Sequence, residues 1–174
     1  MLIKIYKMIK DKVLGLFFDF PTQRFHTREI ARKLNVSAPA VSKVVNELEK
    51  EGLVTYKKKF ISEIQANLDD KFKKSKRIHN LRRIYEIGLE YYLKENFPLT
   101  TIVLFGSYSR GEDIEKSDID IAIFSKEKRL DIAKFEKKLN RTINIEFIDF
   151  RKASVALKES LINGIVLEGD IVLK

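Results

Sequence analysis

The chain contains no cysteine and no tryptophan, and only two histidines, three prolines and seven glycines among its 174 residues. Without cysteine there is no disulfide framework, no zinc finger and no thiol nucleophile. The two histidines, His26 and His79, are isolated from each other and from any metal-ligand pattern, so neither is assigned metal or catalytic work. No apolar run approaches the roughly 20 residues that span a bilayer. The Lys-rich first ten residues, followed by Leu14-Gly15-Leu16-Phe17-Phe18, lack the small-residue cleavage site of a secretory signal. The expectation is a cytoplasmic protein without a membrane partner. Low-complexity segments and internal repeats are also missing, and 44% hydrophobic residues suffice for two small cores.

Charge is plentiful and unevenly placed. Residues 1–98 hold 21 Lys+Arg against 12 Asp+Glu, a net +9, whereas residues 99–174 hold 13 of each. The whole excess of positive charge therefore lies in the first part, where its field concentrates polyanions, nucleic acid foremost.

The most informative stretch is Gly106-Ser107-Tyr108-Ser109-Arg110-Gly111, with Ser117-Asp118-Ile119-Asp120-Ile121 a short spacer later. The apolar run Thr101-Ile102-Val103-Leu104-Phe105 is β-branched and aromatic and stops at Gly106, which reads as a buried strand ending in a sharp turn. At such a turn Gly106 lets the backbone approach an anion, Ser107 adds a hydroxyl, and the segment to Arg110 presents free N–H groups at a helix start. In the following strand Asp118 and Asp120 share one face, about 7 Å apart along the chain from the rise per residue. Two carboxylates so placed call for a cation, and oxygen ligands of this kind suit Mg²⁺, which takes the rest of its shell from water and substrate phosphates. The alternation of Thr142-Ile143-Asn144-Ile145-Glu146-Phe147-Ile148-Asp149-Phe150 sets Glu146 beside Asn144 and opposite Ile143, Ile145 and Phe147. Glu146 is the expected third ligand, with Asp149 as the alternative.

These residues resemble the signature of the minimal nucleotidyltransferases, small members of the superfamily that includes DNA polymerase beta. The resemblance implies that Ser107, with Gly106, Arg110 and Ser117, lies on the triphosphate side, that Asp118 and Asp120 bind Mg²⁺, and that Glu146 serves the metal nearer the attacking hydroxyl. Relatives often carry Asp where Glu146 stands and Ala where Ser109 stands. The reaction implied is attack of an acceptor hydroxyl on the α-phosphorus of a nucleoside triphosphate, ATP foremost, with pyrophosphate leaving. Members of this family often act as antitoxins that nucleotidylate a small helical partner protein, which makes such a partner an expectation here.

The first half is of another kind. Thr27-Arg28-Glu29-Ile30-Ala31-Arg32-Lys33-Leu34 has helical spacing with Thr27 as the expected N-cap, and Asn35-Val36-Ser37 breaks it. A second helix over Ser37 to Lys50 has Ser37 as cap, Pro39 in its first turn and the stripe Val41, Val44, Val45 and Leu48, and Gly52 stops it. Two short strands follow around Lys57-Lys58-Lys59. The pattern resembles a winged helix-turn-helix, with Leu2 to Phe18 as packing helix. In that module Ser37, Ser42, Lys43 and Asn46 face the major groove and Lys57, Lys58 and Lys59 touch the backbone or minor groove at the wing tip. Double-stranded DNA is the expected partner, and a homodimer fits the paired half-sites that such modules read.

Between these parts, Asp69 to Glu95 carries Ile78, Leu81, Ile84, Ile87 and Leu93 at helical spacing and is expected to form one amphipathic helix. Lys126 to Arg141 and Arg151 to Asn163 read as helices, and Ile165 to Leu173 as a closing strand. The organisation expected is an α+β chain: a winged helix-turn-helix at 1–66, a linker helix at 67–98, and a nucleotidyltransferase domain at 99–174 built as a small mixed sheet with helices on one face. The leading function is an Mg²⁺-dependent nucleotidyltransferase fused to a DNA-binding module. The competing one is a winged-helix transcription regulator whose transferase domain is inactive and serves nucleotide sensing or dimerisation.

Overall fold

The structure is a computed structural model that describes residues 2–57 and 63–171. The chain forms two compact units, Met1–Lys76 and Arg77–Lys174.

In the first unit, α1 (Leu2–Asp19), α2 (Thr27–Leu34) and α3 (Ala38–Lys50) pack with β1 (Arg24–Phe25), β2 (Val54–Lys57) and β3 (Glu63–Ala66). The strands form an antiparallel sheet in the order β1-β3-β2. The α3 stripe Val41, Val44, Val45 and Leu48 is fully buried against Val13 and Phe17 of α1, Ile30 of α2 and Ile64 of β3. This is the expected winged arrangement. The α2 cap lies one residue earlier than the sequence suggests: His26 is the N-cap, Thr27 begins the helix, and the Glu29 carboxylate accepts from the His26 backbone N–H at 3.4 Å. Ser37 caps α3 as expected, its hydroxyl accepting from the Ala40 N–H at 3.4 Å.

The single amphipathic helix expected over Asp69–Glu95 is two helices, α4 (Asp70–Glu86) and α5 (Leu89–Asn96). Gly88 separates them at φ 75°, a left-handed conformation that ends a helix at little steric cost for glycine. The apolar periodicity runs through the break because both helices bury that side, Ile84 in α4 and Leu89 and Leu93 in α5. The division between the two units falls inside α4.

The second unit is built on a four-stranded mixed sheet in the order β6-β5-β4-β7, from β4 (Ile102–Phe105), β5 (Ile119–Ile123), β6 (Ile143–Phe147) and β7 (Ile165–Glu168). Strand β4 runs antiparallel to β5 and β7, and β5 runs parallel to β6. Three further helices complete it: α6 (Gly106–Arg110), α7 (Ala133–Leu139) and α8 (Val155–Ile162). All four residues of β4 are buried, which corrects the expectation of helices on one face. Ile102 and Leu104 pack with Leu93 of α5 and Phe135 and Leu139 of α7, while Val103 and Phe105 pack with Ala122 and with Leu161 of α8. Helices thus cover both faces, as the unbroken apolar run of β4 requires. The helix expected over Lys126–Arg141 is confined to α7, and α8 lies within the span expected for it.

Candidate active site

The chemistry-bearing residues gather where β4 ends and β5 begins. Because the two strands are antiparallel, Phe105 pairs with Asp120, and the turn leaving β4 is delivered beside the acidic end of β5. Gly106 sits there at φ 72°, and a Cβ on it would collide with Asp120 Oδ2 and lie 3.2 Å from Asp120 Cγ. The glycine is needed twice, for its backbone conformation and for the closeness of the carboxylate. Ser107 is half-buried in the first turn of α6, while Ser109 turns inward and donates its hydroxyl to the Gly106 carbonyl at 2.9 Å. Gly111, also left-handed, closes the turn.

Asp118, expected within the strand, is exposed immediately before β5, and Asp120 is half-buried as the second residue of β5. Register across the parallel pair sets Asn144 beside Asp120 and Glu146 beside Ala122. The Asn144 amide donates to Asp120 Oδ1 at 3.3 Å, so one oxygen of Asp120 meets Asn144 and the other faces Gly106. Glu146 shares that face of the sheet one pleat further along, half-buried, and the alternative Asp149 lies beyond β6, where its carboxylate accepts from the Arg151 N–H at 3.1 Å. Among the described residues no three His, Cys, Asp or Glu side chains form a ready-made cage for an ion. The Asp120 carboxylate beside the Gly106 turn, with Asp118 two residues earlier in the chain, nevertheless offers oxygen ligands of the kind that suit Mg²⁺, an ion that keeps several waters and is bound through one or two carboxylates plus substrate phosphates.

Two residues expected on the triphosphate side have protein partners. Arg110 pairs with Glu112 at 2.8 Å on the surface. The Ser117 hydroxyl accepts from the Ile114 N–H at 2.9 Å and so holds the spacer loop. Sequence reading missed Asn80, Asp113 and Arg141, which are inside the unit and bonded to this loop. Nothing in the spacing marks Asp113 among the acidic residues of the spacer.

In the winged-helix unit, Asn46 is exposed and Ser42 half-buried on α3, and Ser37 stands at its N-terminus. Lys43 is exposed too, but its ammonium lies over the Tyr6 ring, 4.9 Å from the centroid. Glu47, one turn on, receives Tyr6 Oη and Lys10 Nζ, so this edge of α3 is engaged with α1. Lys57 is exposed at the end of β2, and Lys58 and Lys59 lie outside the described residues. Among the described residues no helix is long and apolar enough to cross a membrane.

Comparison with known proteins agrees with this division. Residues 88–171 match the family described as "Polymerase beta, Nucleotidyltransferase", and residues 22–60 match "Iron dependent repressor, N-terminal DNA binding domain". Protein adenylyltransferase MntA of Shewanella oneidensis is 37% identical over 87 residues, which are 47% of this chain and 63% of that protein. "Putative protein adenylyltransferase MJ1215" of Methanocaldococcus jannaschii is 47% identical over 49 residues, 27% of this chain and 57% of that protein. The match thus spans less than two thirds of either relative's own length. The polymerase beta nucleotidyltransferase model thus falls within the second unit, and the DNA-binding-domain model of iron-dependent repressors within the first.

Proposed function

We propose that the protein is an Mg²⁺-dependent nucleotidyltransferase that moves a nucleoside monophosphate, AMP foremost, from its triphosphate to a hydroxyl on a partner protein, and that its winged-helix unit binds double-stranded DNA. The observation that carries the transferase reading is the closeness of Gly106 to Asp120, which puts an anion-approachable turn directly against a carboxylate. Adenylate and a protein acceptor are favoured by the names of the relatives.

Asp118 and Asp120 would hold Mg²⁺, with Glu146 completing the acidic face. When bound, the metal supplies Lewis-acid stabilisation of charge at the transferred phosphoryl group. Gly106 admits the phosphates close to the backbone, and Ser107 offers its hydroxyl and N–H at the start of α6. Asn144 holds the Asp120 carboxylate in one orientation. In the transfer the acceptor oxygen bonds to the α-phosphorus, the bond to the β-phosphate oxygen breaks with its electron pair, pyrophosphate departs, and the hydroxyl proton is lost.

On the DNA side, Ser37, Ser42 and Asn46 offer polar groups to the major groove, and Lys57 with Lys58 and Lys59 supplies phosphate contacts. Lys43 serves from the margin, since Tyr6 holds its ammonium.

The test is label transfer from ATP marked at the α- or the γ-phosphorus to proteins of a cell extract. Covalent α-label that vanishes in Asp120→Asn supports the reading. Transfer of γ-label would assign a phosphotransferase instead, and no transfer of either label would favour a DNA-binding regulator with a silent transferase domain.

A further inference from the structure

A buried polar chain runs from α4 to the residue before Asp118. Asn80 on α4 is 3% exposed and its amide donates to the Tyr108 carbonyl of α6 at 2.9 Å and to Asp113 Oδ1 at 2.8 Å. Asp113 pairs through Oδ2 with Arg141 Nη2 at 3.4 Å, and the two side chains are 1% and 7% exposed. Arg141 in turn donates Nη1 to the carbonyls of Ile114 and of Ser117, the latter at 3.2 Å. Between those carbonyls the Ser117 N–H returns to the Ile114 carbonyl at 3.0 Å, and the Ser117 hydroxyl accepts from the Ile114 N–H. The Ile114–Ser117 turn is therefore closed on itself and gripped from inside by one guanidinium.

Arg141 is itself fixed. It follows the left-handed C-cap Asn140 of α7, its N–H donates to the Glu136 carbonyl at 3.2 Å, and the Glu136 carboxylate accepts from the Ile143 N–H at the start of β6 at 2.9 Å. A buried charged pair is weak evidence for stability, because desolvation offsets much of its attraction. A buried fork that reaches two carbonyls of one turn fixes position instead, since only guanidinium presents several donors in a rigid plane.

We propose that Arg141, oriented by Asp113 and Asn80, is a positioning residue that sets the turn from which Asp118 emerges, and so fixes the spacing between the two carboxylates that would take the metal. The inference rests on the transferase reading and deepens it. Asp118 lies outside the ladder of β5 and is exposed, so its place depends on the turn before it, whereas Asp120 is held by its strand, by Asn144 and by Gly106. Residues that orient metal ligands typically change metal affinity by about 10–100-fold when altered.

The test uses the full chain and Arg141→Lys, which keeps the charge beside Asp113 but loses the fork, with Asp113→Asn as a second variant in case the first does not fold. Two readouts are taken well below the melting temperature: amide hydrogen exchange at Ile114 and Ser117, and the Mg²⁺ concentration giving half-maximal ATP binding. Exchange at those two amides should rise about tenfold or more while the strand amides of Leu104 and Ile121 keep their protection, as local opening would produce. The Mg²⁺ requirement should also rise by about 10–100-fold, with ATP binding restored by excess Mg²⁺. Parent-like exchange, or a parent-like Mg²⁺ requirement, would overturn the clamp alone. Absence of Mg²⁺-dependent ATP binding in the parent protein would overturn the transferase reading, and the clamp's purpose with it.

Discussion

At the scale of single residues, Gly106 concentrates the demands of the site. A left-handed backbone costs an ordinary L-residue about 1–2 kcal/mol, and at Gly106 a Cβ would also press on the Asp120 carboxylate. Gly106→Ala is expected to lower the melting temperature by several degrees, given the several-degree shift per kcal/mol of small domains, and to abolish Mg²⁺-dependent nucleotide binding. A thermal melt with a nucleotide titration checks both, and a parent-like variant would contradict the geometry. The turn at Gly106 and the place of Asp120 on β5 were legible in the sequence, because an apolar run that stops at glycine and a strand alternation are local patterns, whereas Asp118, read as part of the strand, lies just before it. Asn80, Asp113 and Arg141 were not, because their association exists only through tertiary contact, and a polar residue bound for the interior looks locally like one bound for solvent.

At the scale of elements, the joint between α1 and α3 makes its own prediction. Lys10 Nζ and then Tyr6 Oη donate to the Glu47 carboxylate, and these bonds hold its pKa below the usual carboxylate range. Burial pulls Lys10 downward, but its bonds to Glu47 and Glu51 outweigh that and leave it raised. Since the folded pKa of Glu47 lies below its unfolded value, its stabilising contribution is present above the ordinary carboxylate range and disappears as pH falls through the folded value. Glu47→Gln should therefore lower the melting temperature at neutral pH, and the difference from the parent should vanish in acid. A difference independent of pH would show that packing, not charge, holds the joint.

On the proposed DNA side, the exposed Lys57 of β2 and Lys43 of α3 differ in their surroundings. Lys57→Ala should reduce the salt slope of DNA binding by about 0.9, the value for one lost phosphate contact on duplex DNA. Lys43→Ala should change it by less, because the Lys43 ammonium is placed over Tyr6. Equal effects would show that Lys43 swings to the phosphates. Helix α3 was readable in advance from its cap, proline and apolar stripe, which act locally. The break at Gly88 was not, since the buried side continues through it and only the backbone angle reveals the turn. The cover on both faces of the sheet was written in the unbroken apolar run of β4, although the short span of α8 gave little sign of which face it would take.

At the scale of the whole molecule, a basic part and an electrically balanced part share one chain. The basic excess belongs to residues 1–98 and the acidic constellation to the electrically balanced remainder. Asp118→Asn should accordingly remove nucleotide transfer and leave DNA affinity as in the parent, measured by a gel-shift titration at fixed salt. Loss of DNA affinity in that variant would mean that the two activities share determinants. Calorimetric titration of ATP, CTP, GTP and UTP into the full chain, with and without Mg²⁺, beside Asp118→Asn, decides whether the protein holds a working triphosphate site. Binding of at least one triphosphate that requires Mg²⁺ and is lost in the variant is the expected result, whereas no binding of any of the four, or binding indifferent to both the metal and Asp118, would rule out a metal-dependent transferase site at Asp118.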